Sequence, residues 1–108
     1  MSNAWLYLIG AGLLEIVWAT AMKLSKNWSE PFWTTVTIVA LIGSFQLLAA
    51  SLSVLPLNTA YAIWVGIGAV GAALVGMLWL GEAISTAKLF FLGVIVVGIV
   101  GLKLVSAE

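Results

Sequence analysis

Four long apolar stretches, separated by short polar ones, run along the chain. The first extends from Ala4 to Met22 with a single charged residue inside it, and a run of that length covers the hydrocarbon thickness of a bilayer when helical. The pattern predicts helices over about residues 4–23, 32–52, 58–80 and 86–105. The segment from Leu24 to Pro31 is the most polar in the chain and forms the first loop. Ser29, Glu30 and Pro31 read as the start of the second helix, because the missing N–H of a first-turn proline is unpaired in any case. Ser53–Leu57 and Gly81–Ser85 supply the other two connections. All three are too short for anything but helices that alternate in direction.

Composition turns these helices into membrane spans. Of 108 residues, 64% are hydrophobic and 7% charged, which excludes both a disordered chain and an ordinary soluble domain. The expected fold is an all-α membrane protein with four transmembrane helices in one domain over 1–108. Four spans of about 20 residues leave roughly 28 for loops and ends. The start, Met1-Ser2-Asn3, lacks the positive region of a secretory signal, so the first helix is expected to be retained. Zero formal charge gives no basic footprint for nucleic acid. Lys23, Lys26 and Lys88 fall on the side of the first and third loops, and Lys103 with the amino terminus on the other. A bias of one or two charges permits insertion in both orientations; a fixed topology with the first loop inside is the alternative.

The one acid within a span is Glu15. A charged carboxylate at mid-depth costs roughly 2.5 to 3.5 kcal/mol on insertion scales, so an intramembrane acid is a functional candidate by default. The obvious structural alternative is an ion pair with Lys103. At 1.5 Å per residue the two differ in depth by roughly 14 Å, so Lys103 is expected to snorkel to the interface and Glu15 to meet a proton or a ligand.

Helical spacing gives Glu15 its neighbours. Gly12 and Trp18 lie at i−3 and i+3 on one surface; Tyr61, Trp64 and Gly68 share a face of helix 3, and Ser44 is near mid-span in helix 2. A carboxylate among aromatic faces is what a desolvated organic cation needs. Each residue has a plainer reading. Tyr61 can belong to the interfacial aromatic belt, Trp18 and Trp64 can face lipid or a neighbouring helix, and Ser44 can bond back to its own helix. Gly66-Ile67-Gly68-Ala69-Val70-Gly71 matches a dinucleotide-binding spacing, but the match is spurious: no strand precedes it and it lies mid-span. Gly68, Ala72 and Gly76 instead form the small-xxx-small spacing of closely packed membrane helices, so bending and packing are the expected roles of Gly66 and Gly68. With no Cys and no His, thiolate sites, the commonest metal ligand and the usual general base are absent. No metal, no cofactor and no enzyme activity is expected.

Taken together these residues resemble the small multidrug resistance family, and within it the guanidinium exporter branch. The resemblance covers essentially the whole chain and rests on the run Gly12–Ala19 followed by Lys23, on Ser44-Phe45, on Leu55-Pro56 with Thr59–Trp64, on Gly66–Ala69 and on Gly101-Leu102-Lys103. Trp18 and Lys103 are the marks of the guanidinium branch. The resemblance implies an antiparallel, dual-topology homodimer in the bacterial inner membrane, with helix 4 forming the dimer. It implies a proton-coupled antiporter exporting guanidinium and alkylguanidinium cations, with proton and cation competing for Glu15 of both subunits. Gly12, Trp18, Ser44, Tyr61 and Trp64 would line the site, with Trp18 and Ser44 as donors orienting the carboxylate. Asn58 and Val65 depart from the branch, which commonly has Gly and Thr there. Two alternatives follow: an exporter of quaternary ammonium and other hydrophobic cations, or a non-transporting accessory subunit.

Overall fold

The computed structural model describes residues 3–106. It consists of four helices, α1 (Asn3–Leu24), α2 (Pro31–Leu52), α3 (Leu57–Leu78) and α4 (Thr86–Val105), each long and apolar enough to cross a membrane. A helix of this length measures about 30 Å, the thickness of the hydrocarbon core. Both prolines of the chain stand at helix starts, Pro31 in the first turn of α2 and Pro56 as the N-cap of α3. No proline interrupts a span, and the backbone hydrogen bonds that lipid cannot supply stay within each helix.

The connections are built from local bonds. In the first loop Lys26, Asn27 and Trp28 all take positive φ, and the chain folds back over Ser25, which is fully buried. Its hydroxyl donates to the Met22 carbonyl at 2.7 Å and accepts from the Trp28 amide, while its carbonyl accepts from the amides of Ser29 and Glu30. The cap of α2 is Glu30, with no side-chain bond to the helix; the Ser29 hydroxyl donates instead to the Lys26 carbonyl, and α2 begins one residue earlier than the sequence pattern gives. At the other end of α3 the helix stops at Leu78, not at 80. Gly81, at φ +75°, turns the chain left-handed, and the Glu82 amide donates to the Gly76 carbonyl at 3.0 Å. This is the glycine-based closure that satisfies the last carbonyls of a helix. Ser85 caps α4 by accepting from the Lys88 amide.

α1 is central and packs against both α2 and α3, whereas α4 rests on α3. The core gathers Trp5, Leu8 and Ala11 of α1, Leu48 of α2, and Ala60, Ile63 and Trp64 of α3, with Leu55 of the second connection. α4 contributes no buried residue, and Phe90, Phe91 and Val97 are all more than 60% exposed. Near its end Lys103 reaches back to α1, its ammonium 4.5 Å from the ring centre of Trp5. This contact holds the lysine stem along apolar surface at the membrane edge.

Candidate functional site

The α1–α3 contact is built by side chains that fill the space left by glycines. Gly12 faces Ile67, and a Cβ at Gly12 would come within 2.7 Å of the Ile67 side chain. One turn on, Glu15 lies against Gly68, where a Cβ would fall on the carboxyl group itself. Ile16 lies against Gly71 in the same way. The order Gly–Ile, Glu–Gly, Ile–Gly is a close helix pairing in which the acid takes a glycine's vacancy. Gly66 faces the other way, toward Ile95 and Ile99 of α4. α3 is continuous through both glycines, so what they provide is close approach on two opposite faces.

Glu15 is half-buried, and its Oε1 is shielded from solvent with no hydrogen-bond partner among the described residues. The Trp18 indole N–H is in the same condition. The single ion pair among the described residues joins Lys23 to Glu82, so Glu15 has no cation beside it and Lys103 is committed to Trp5.

Ser44 ties the three inner helices together. It is fully buried; its hydroxyl donates to the Ala11 carbonyl of α1 at 2.7 Å and accepts from the Trp64 indole N–H of α3 at 3.1 Å. Neither expectation for its hydrogen bond holds: it bonds neither to its own helix nor to the carboxylate. The Ala11 carbonyl it engages is one turn before Glu15. Ser44 therefore fixes the backbone that carries the acid, and leaves the carboxylate free. Trp18 likewise makes no bond to Glu15. Trp64 is almost fully buried, with Tyr61 and Phe45 rings 5.5 and 5.7 Å from its own. Tyr61 is about half exposed, at the rim of this aromatic group.

Within the chain the fold thus brings Glu15, Gly12 and Gly68 together on the α1–α3 seam, and Ser44, Trp64 and Tyr61 into a second cluster joined to α1 through Ala11. Phe45 and the Ala11 carbonyl belong to that cluster without having been assigned to the site from the sequence. Phe45 could have been found as the neighbour of Ser44; a backbone carbonyl carries no sequence signal. No group of His, Cys, Asp or Glu among the described residues is placed to hold a metal. What the arrangement can do chemically is offer one carboxylate, acceptor-only when ionised and without a partner among the described residues, to a cation or a proton.

Comparison with known proteins shows what the chain as a whole is similar to. The family model described as "Small Multidrug Resistance protein" matches residues 3–95. A protein named "Guanidinium exporter" from Salmonella typhimurium is 52% identical over 101 residues, spanning 94% of this chain and 96% of its own. Proteins of the same name from Yersinia pestis, 48% identical over 103 residues, and Citrobacter freundii, 50% identical over 101, cover 95% and 94% of this chain and 99% and 96% of their own.

Proposed function

The chain belongs to the small multidrug resistance family, as a multi-pass protein of the bacterial inner membrane, and on that premise we propose that it exports guanidinium in exchange for protons. The observation that carries the proposal is the half-buried carboxylate of Glu15, with one oxygen out of solvent and no partner among the described residues, in a chain about half identical to guanidinium exporters. A desolvated carboxylate is costly unless something neutralises it. Proton and guanidinium each do so, and because one group serves both, occupancy by one excludes the other. That exclusion is the coupling, and it needs no separate proton channel.

The working unit in this proposal is a homodimer of oppositely inserted subunits, with α4 as the contact and two copies of Glu15 facing one cation. A single subunit leaves α4 uncovered and encloses no pathway, and two inverted copies supply the symmetry that larger transporters build from inverted repeats. Gly12, Trp18, Ser44, Tyr61 and Trp64 line or support the site, and singly alkylated guanidiniums are accepted.

Glu15→Gln tests the coupling. The amide keeps the shape and removes the charge, so the variant is expected to fold and dimerise while failing to accumulate guanidinium against its gradient when a pH difference is imposed on proteoliposomes. Accumulation driven by pH in that variant would show the exchange to run elsewhere. Val65, which lacks the hydroxyl common beside the helix 3 tryptophan and is 41% exposed, favours a second reading in which more hydrophobic cations are also carried.

A further inference from the structure

The turn that ends α3 brings together two charges that the Glu15 site does not use. Gly81 reverses the chain at φ +75°, the Glu82 amide closes onto the Gly76 carbonyl, and the Glu82 side chain folds back over Gly76, where a Cβ would meet its carboxyl oxygen. Held there, Glu82 Oε2 is 4.0 Å from Nζ of Lys23 at the end of α1. Both residues line the loop-side end of a cavity of about 290 Å³ between α1 and α3, whose other walls include Ala19, Thr20, Ala72 and Ala73.

The position of this cavity is fixed by helical spacing. Ala19 follows Glu15 by four residues and Ala72 follows Gly68 by four, so the inner walls lie one turn, about 6 Å, from the Glu15–Gly68 contact. The walls are mostly apolar, with Thr20 among them, and the space is large enough for several waters. Both partners of the ion pair keep much of their side chains in solvent, 69% for Lys23 and 48% for Glu82. A pair so exposed adds little to stability and opens readily.

We propose that Lys23 and Glu82 form a gate over this cavity, and that opening it admits water to within a turn of Glu15 from the face of the first and third loops. The inference rests on the reading of Glu15 as the proton-binding group. It adds a route by which protons approach that group, controlled by residues outside the cation site.

The chain contains no cysteine, so single thiols report access cleanly. In the full-length protein in proteoliposomes, Ala72→Cys and Thr20→Cys are treated with membrane-impermeant methanethiosulfonates of both charge signs. Glu82→Gln is expected to raise both modification rates at both positions, by up to about five-fold, the most an exposed ion pair supports. The swapped pair, Lys23→Glu with Glu82→Lys, is expected to restore the original rates, and Val54→Cys, 59% exposed in the second connection at the opposite end of the helices, to react at one rate throughout. Rates at positions 20 and 72 that ignore the pair, a thiol there that is unreactive in every background, opposite shifts for the two reagent charges, or a parallel rise at Val54→Cys would each overturn the gate. Access is read without transport, so failure here leaves the Glu15→Gln experiment standing, and failure there leaves this one interpretable.

Discussion

The carboxyl group of Glu15 occupies the space that a side chain at position 68 would fill: a Cβ built on Gly68 falls on Oε1 and Cδ of the acid. The glycine therefore decides where the carboxylate sits. Gly68→Ala is expected to drive the acid off the α1–α3 seam and to reduce proton-driven guanidinium flux by at least about ten-fold, the effect of an overpacked contact. Gly10 is the control, since a Cβ there meets one terminal methyl of Leu47 at 3.2 Å and Gly10→Ala is expected to keep wild-type flux. Equal flux in the two variants would remove Gly68 from the site.

The fold was legible in the sequence because a bilayer imposes length and apolarity on every span, and those are properties of composition along the chain. The four helices follow from it directly, with ends that differ by one or two residues where local chemistry intervenes: Gly81 and the Glu82–Gly76 bond shorten α3, and Ser25 draws the first loop onto itself. Glu15 was legible for the same reason, as a charge where the solvent is hydrocarbon. The hydrogen bonds of Ser44 were not. Its spacing could say that it faces inward but not that a carbonyl of α1 and an indole of α3 would both be in reach, because a register between two helices is set by packing and is invisible in either one alone. The Lys23–Glu82 pair escaped for a related reason: its residues lie 59 positions apart and meet only because Gly81 reverses the chain.

Ser44 and Trp64 form the one side-chain hydrogen bond between α2 and α3 among the described residues. Ser44→Ala is expected to strand a buried indole N–H and to cost about 1 to 3 kcal/mol. Trp64→Phe deletes the donor together with ring contacts to Tyr61 and Phe45 and is expected to cost at least as much. The double variant should then be less destabilised than the sum of the singles, because the stranded group is gone. Thermal unfolding of the three proteins in one detergent measures this, and strict additivity would mean that the bond contributes nothing.

α4 buries none of its residues against the rest of the chain, and a Cβ at Gly93, Gly98 or Gly101 meets nothing within 4 Å. In lipid, small residues on an open helix face let a second helix approach closely, which is how the proposed dimer would use them. Gly98→Leu is thus expected to weaken the dimer, seen as reduced crosslinking in membranes, while the α1–α3 contact persists. If the two subunits insert oppositely, a thiol introduced by Asn27→Cys in the first loop labels about half from each side, as a nearly balanced lysine distribution allows. Labelling from one side alone would leave only parallel insertion.

Substrate choice turns on Trp18. Guanidinium is planar and offers its N–H donors in a fork that matches a carboxylate, so it can be held edge-on by Glu15, whereas a tetraalkylammonium has no N–H and depends on charge and aromatic contact. Trp18 lies one turn from Glu15 with its own N–H unpaired among the described residues. Its bulk should reduce the room beside Glu15 for cations that are not flat. Electrogenic currents in proteoliposomes are expected with guanidinium and with a singly alkylated guanidinium, whose tail can lie between apolar helix faces, and to be weak with tetraethylammonium. Trp18→Gly is expected to lower the guanidinium current and raise the tetraethylammonium current, reversing their order. Strong tetraethylammonium currents in the unaltered protein, with none for guanidinium, would assign the transporter to hydrophobic cations and leave Glu15 as the shared site.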